Sequence, residues 1–79
     1  MNYTDIHKRF KAAYEICTQK HGEKKRFCEK YKIDPANLRS AVFEPTVRHL
    51  RAEWIASFCK EYDVSTDYIL LGNGPMFTI

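Results

Sequence analysis

The stretch EKKRFCEKYKIDPANLRSAVF, residues 23–43, reads as two short helices joined by a tight turn. In the first, Phe27, Cys28, Tyr31 and Ile33 recur at nearly helical spacing while Lys24, Lys25, Arg26, Lys30 and Lys32 fall elsewhere. One face is therefore apolar and the other strongly cationic. Asp34 announces the second helix, because its carboxylate can accept from the free amides of the next turn. Pro35 then stands at the first helical position, where a missing N–H costs nothing. The spacing predicts a helix from Pro35 to Val42 or Phe43. The Glu44-Pro45 step stops it, since the residue before a proline is pushed out of helical geometry.

Working outward, Ile6, Phe10, Ala13, Tyr14 and Cys17 form an apolar stripe at intervals of three and four, which predicts a first helix over 5–20 with Thr4 as its cap and 1–3 frayed. Lys8, Arg9 and Lys11 decorate the solvated side of this helix, and His21 and Gly22 close it. Beyond the central pair, Thr46 to His49 is a loop with extended character, a candidate short strand for pairing with another subunit. A fourth helix over 50–62 carries Leu50, Trp54, Ile55, Phe58, Cys59 and Tyr62 as a core stripe. Ser65 caps a fifth over 66–71, which Gly72 ends, with Tyr68, Ile69 and Leu71 returning to the core. The tail, 72–79, is apolar after its turn and is expected to pack on the domain or on a second subunit.

Seventy-nine residues make one domain with a small core, because a chain of this size buries only about 60% of the surface it exposes unfolded. Three glycines and three prolines are too few for the turns of an all-β protein, so an all-α bundle of five helices is expected. The formal charge of +3 is unevenly spread: residues 1–40 hold ten Lys and Arg against five acids, and residues 41–79 hold three against five. A field polarised in this way suits a polyanion on one side. Cys17, Cys28 and Cys59 lie far apart without a CxxC pair and sit on apolar faces, as small buried hydrophobes do. His7, His21 and His49 show no zinc-ligand spacing, so neither a metal nor a cofactor is expected. There is no signal peptide and no apolar run long enough to span a bilayer, which points to a cytoplasmic protein with no membrane partner. Scattered Ser, His and Asp residues and the lack of a glycine-rich phosphate loop argue against an enzyme, and no small-molecule substrate is expected.

Two passages resemble the lambda-repressor-like helix-turn-helix domains of phage repressors and Xre-type regulators. The family's two-helix unit runs Gln, three residues, Ala, three residues, Gly, Val or Ile, Ser, then an aliphatic residue four positions on. Here those places are Lys24, Cys28, Lys32, Ile33, Asp34 and Leu38. The passage AEWIASFCKEYDVSTDYILLGNGPMF, from Ala52 to Phe77, is similar to the closing segment of phage-type repressors, including Val64-Ser65 and Gly74-Pro75-Met76. Together they cover about two thirds of the chain. Lys32 in place of the turn glycine implies either a left-handed lysine costing about 1 kcal/mol or a slightly different bend. Lys24 in place of the glutamine makes phosphate contact the better expectation there.

The resemblance implies a five-helix bundle whose second and third helices form the helix-turn-helix, with the helix over 35–43 in the major groove of double-stranded DNA. Ala36, Asn37, Arg39 and Ser40 would then meet base edges: Asn37 can pair with adenine, Arg39 with guanine, Ser40 can donate or accept, and Ala36 can pack on a thymine methyl. Leu38 and Ala41 face inward. Lys24, Lys25 and Arg26 at the start of the second helix would hold phosphate, joined by Arg48 and His49 in the loop. One such domain reads few base pairs, so a homodimer is expected, formed through the loop 46–49 or the apolar end 69–79. The expected role is a transcriptional repressor of phage or mobile-element type, with no second domain for an effector. The rival is a helix-turn-helix module that binds protein, such as an antitoxin or accessory factor; RNA binding is more distant, lacking exposed aromatics for stacking.

Overall fold

The apolar stripes fold into five helices, α1 (Tyr3–Cys17), α2 (Glu23–Tyr31), α3 (Pro35–Phe43), α4 (Ala52–Tyr62) and α5 (Thr66–Leu71), in a computed structural model that describes residues 2–78. Among the described residues there is no strand, only a single antiparallel bridge between Val64 and Phe77. The core is aromatic at its centre. Phe58 of α4, fully buried, has its ring centroid 4.9 Å from that of Phe10, 5.9 Å from Phe27, 6.1 Å from Tyr14 and 4.9 Å from Tyr62. One ring thus joins α1, α2 and α4, and the tilted geometries are those that aromatic quadrupoles favour. Leu38, Ala41 and Val42 seat α3 against this cluster.

Three helices stop by the same device. After α2, Lys32 adopts the left-handed conformation (φ 56°, ψ 44°), which turns the Ile33 N–H back to the Cys28 carbonyl at 2.8 Å and drops Ile33 into the core. This is the Schellman geometry that glycine normally supplies, so the turn keeps its usual shape and the lysine carries the strain. Asp63 (φ 53°) does the same after α4, bringing Val64 N–H to Cys59 O at 3.1 Å, and Gly72 (φ 72°) ends α5. The capping carboxylate of Asp34 accepts from Ala36 N–H at 2.8 Å and Asn37 N–H at 3.3 Å, and Ser65 accepts from Tyr68 N–H at 3.2 Å.

Several expectations need correction. α1 begins earlier, because Asn2 rather than Thr4 caps it, accepting from Thr4 N–H at 2.8 Å. Tyr3 is anchored rather than frayed: its hydroxyl accepts from Leu50 N–H at 2.8 Å and its ring stacks on His49 at 4.5 Å. Met1 lies outside the described residues. α1 also ends at Cys17 rather than Lys20, since the buried Thr18 turns both its N–H and its hydroxyl onto the Tyr14 carbonyl. Gly22 (φ 85°) therefore opens α2 instead of closing α1. A turn over 45–47 opens the stretch Thr46–His49, with Val47 and Arg48 N–H groups both reaching Glu44 O at 2.9 and 3.1 Å, and no strand forms there. Leu50 is buried but precedes α4. Leu71 stays 55% exposed instead of returning to the core. The tail folds back on its own domain, where Ser65 N–H reaches Met76 O and Thr78 N–H reaches Asp63 O, each at 2.8 Å, with Met76 and Phe77 packed on the core; Ile79 is outside the described residues.

Arg9, expected to be solvated, instead caps α5: its Nε donates to Ile69 O at 2.9 Å and Nη2 to Leu70 O at 3.3 Å. A Cβ at Gly72 would lie 3.1 Å from Arg9 Nη1. Two substitutions test these chain reversals with opposite signs. Lys32→Gly should relieve a strain of about 1 kcal/mol, raising the thermal midpoint by roughly 4–8 °C. Gly72→Ala should lower stability by about 1–2 kcal/mol through the left-handed backbone alone. Urea melts of both variants measure the difference; a destabilised Lys32→Gly protein would contradict the strained turn.

Candidate nucleic-acid interface

The exposed side of α3 is set by what its other side buries. With about 100° per residue, Leu38, Ala41 and Val42 occupy the inward arc, and Ala36, Arg39, Ser40 and Phe43 lie opposite. Ala36 and Arg39 are exposed and Ser40 is half-buried. Asn37 is also half-buried, on a flank about 160° around the helix from Arg39. The four residues expected to read bases are thus not one cluster: Ala36, Arg39 and Ser40 share a face, and Asn37 stands to one side.

Beside Arg39 lies a groove of about 610 Å³ bounded by α1, α2 and α3. Lys24, Lys25 and Arg39 supply its charge and Tyr14, Cys28, Pro35 and Phe43 its apolar surface. Phe43 is 42% exposed, with the Lys11 and Lys24 ammonium groups 5.4 and 5.8 Å from its ring centroid. Lys24 is also 5.7 Å from the Tyr14 ring, so its charge rests over aromatic faces. Among the described residues, Lys11, Lys24 and Arg39 have no carboxylate partner, and Lys25 has only a well-exposed Glu29 at 3.9 Å. An exposed pair of that kind is worth little.

Arg26 differs from its neighbours in being engaged by carboxylates. Its guanidinium donates to Glu23 Oε1 at 2.9 Å, to Glu23 Oε2, and to Glu61 Oε2 at 2.9 Å. Lys30 reaches Glu61 Oε1 at 2.8 Å, the Tyr31 hydroxyl donates to Glu61 Oε1 at 2.9 Å, and the Tyr62 hydroxyl donates to Glu23 Oε2 at 2.5 Å. Two cations and two carboxylates cancel here, joining α2 to α4. The hydrogen bond from Arg26, then that from Tyr62, holds the Glu23 carboxyl at about 2. Lys30 and then Arg26 hold Glu61 at about 2, against the opposing effect of burial. Of the three cations at the start of α2, Lys24 and Lys25 are free of such close carboxylate pairing.

The two loop candidates stand apart from the groove. Arg48 is half-buried, its enclosed Nε without a partner among the described residues, and His49 is exposed against the Tyr3 ring. His7, buried beneath this loop side, donates from Nε2 to the Val42 carbonyl at 2.7 Å and so ties the end of α3 to α1. All three cysteines are free, and burial pushes each thiol up, Cys59 to about 11, which suits packing rather than nucleophilic chemistry. Among the described residues no cluster of His, Cys, Asp or Glu could hold a metal ion, and no helix is long and apolar enough to cross a membrane. Sequence reading missed Lys11, Tyr14 and Phe43 as parts of this surface. Nothing in the pattern separates Lys11 from Lys8; only the crossing of α1 over the end of α3 does so. Compared with protein-family models, with curated proteins and with solved structures, the chain gives no match.

The carboxylate network has a direct consequence for acid stability. Both glutamates have folded values depressed from 4.5 to about 2, so their stabilisation is present above pH 4.5 and is lost as pH falls toward 2. Urea melts across that window should show a steep acid limb that Glu61→Gln flattens. An equally steep limb in the variant would show that the network does not control it.

Proposed function

We propose that the chain is a sequence-specific double-stranded DNA-binding protein of the lambda-repressor-like helix-turn-helix kind, with α2 and α3 as its two-helix unit and α3 as the recognition helix. The observation that carries this reading is the exposed face of α3 set directly beside unneutralised cations from α1 and α2. The major groove, about 12 Å wide, admits a helix, and base edges there are distinguished by side chains of the types on this face. Arg39 suits the two acceptors of guanine, Ser40 either donor or acceptor, and Ala36 a thymine methyl. Asn37, on the flank, is assigned to an adjacent base edge or phosphate.

Lys24 and Lys25 hold the backbone phosphates, together with Lys11, and Arg26 serves the fold instead. Arg48 and His49 are outlying phosphate contacts. Binding as a dimer fits the dimensions. The domain measures 31 × 29 × 19 Å, so two copies spaced by one DNA turn, about 34–36 Å, lie side by side. With the tail folded inward, the contact between copies falls to exposed apolar groups such as Val47 or Leu71. The role this supports is that of a repressor.

Salt titrations of duplex binding, followed by fluorescence anisotropy, test the assignment. Removing a single phosphate-binding cation should reduce the log-log salt slope by about 0.9. Lys24→Ala, Lys25→Ala and Lys11→Ala should each show that reduction, while Arg26→Ala should lower stability and leave the slope in place. A slope unchanged by all three lysine substitutions, or a wild-type protein that binds no duplex at low salt, would contradict the reading.

A further inference from the structure

The groove between α1, α2 and α3 has features that contact with a DNA surface does not require. Its volume of about 610 Å³ lies within the roughly 300–1,000 Å³ of small-molecule sites, and its lining follows their pattern of apolar walls with a few convergent polar groups. Tyr14, only 3% exposed, forms part of its wall. Burial, the largest influence, pushes this phenol up to about 12, so it remains a proton donor at neutral pH. Beside it, edge to face at 6.5 Å, the Phe43 ring is 42% exposed, and the ammonium of Lys24 is held over both rings instead of on a carboxylate.

We propose that this groove is a binding site for a small aromatic anion, whose ring lies against Phe43 and Tyr14 and whose phosphate, carboxylate or sulfonate meets Lys24, Lys25 and Arg39. The two halves of the ligand are matched to two halves of the site. A ring alone gains stacking but leaves Lys24 and Arg39 without a counter-charge and Lys25 with only its weak pair to Glu29. An inorganic anion gains the charges but leaves the aromatic wall open. Because Lys24, Lys25 and Arg39 are also the cations assigned to DNA, occupancy of the groove and binding of a duplex exclude each other; this second clause rests on the DNA-binding reading.

The test is an amide-detected NMR titration of the full chain with 2-naphthyl phosphate, compared with 2-naphthol and with inorganic phosphate. Shifts should concentrate at Lys24, Lys25, Cys28, Arg39 and Phe43, with 2-naphthyl phosphate binding at least about tenfold tighter than either fragment, as joined contacts allow. Lys24→Ala and Phe43→Leu, both at exposed positions, should each weaken it while leaving the spectrum away from the groove unchanged. Shifts centred elsewhere, or a fragment that binds as tightly as the whole, overturn the site. A duplex is then added to the loaded protein. Displacement of 2-naphthyl phosphate supports mutual exclusion, and simultaneous binding overturns it. A duplex that does not bind even the free protein removes the DNA reading and the exclusion with it, while the site is decided by the first titration alone.

Discussion

Every helix that carries a candidate functional group is positioned, directly or at one remove, by the ring of Phe58. A domain of this size has room for one central packing unit, and here aromatic rings from α1, α2 and α4 converge on that side chain within 6.1 Å. Such rings bury large areas and add directional preferences to the burial, so they fix helix placement more sharply than aliphatic contacts do. Replacing Phe58 by alanine would cost on the order of 3–5 kcal/mol, a large share of the stability of a domain this small. α3 contributes no ring to the centre. It is held from its ends and one face: the Asp34 cap at its start, Leu38, Ala41 and Val42 beneath, and His7 on the Val42 carbonyl near its finish. Its other face is consequently free.

Charge is distributed by the same packing. Drawing α4 against α2 places Glu61 beside Arg26 and Lys30, and these groups, with Glu23, become a neutral cluster. The positive charge that survives is displaced toward the opposite edge of α2 and onto α1 and α3. A basic helix is thereby converted into a helix with one neutral and one cationic side. That asymmetry gives the exposed face of α3 its cationic neighbours.

Much of the fold was legible because local chemistry and packing agree. Asp34-Pro35, Ser65 and Gly72 mark helix ends by their own hydrogen bonding and backbone freedom, and the structure places α2, α3 and α5 where those residues predict. The failures occur where one local signal overrides another or where packing decides. Asn2 outcompetes Thr4 as a cap, Thr18 ends α1 early, and Leu71 is left outside while Ile69 is buried and Leu70 packs on the core. The candidate surface was legible in part. Arg39, Lys24 and Lys25 line one groove, although the sequence assigned them separate tasks, and Arg26 is paired with Glu61, 35 residues away in the chain. Lys11, Tyr14 and Phe43 join the surface through the packing of α1 on α3, which periodicity along one helix does not encode.

Discrimination between base pairs by the exposed face of α3 is the central claim. Selecting bound duplexes from a random pool with the wild-type chain and with Arg39→Ala tests it most directly. A consensus for the wild type, with relaxed preference at one guanine position for Arg39→Ala, is the predicted result, since each good bidentate contact contributes about 1–3 kcal/mol of discrimination. No consensus, or one that Arg39→Ala leaves intact at every position, would contradict it.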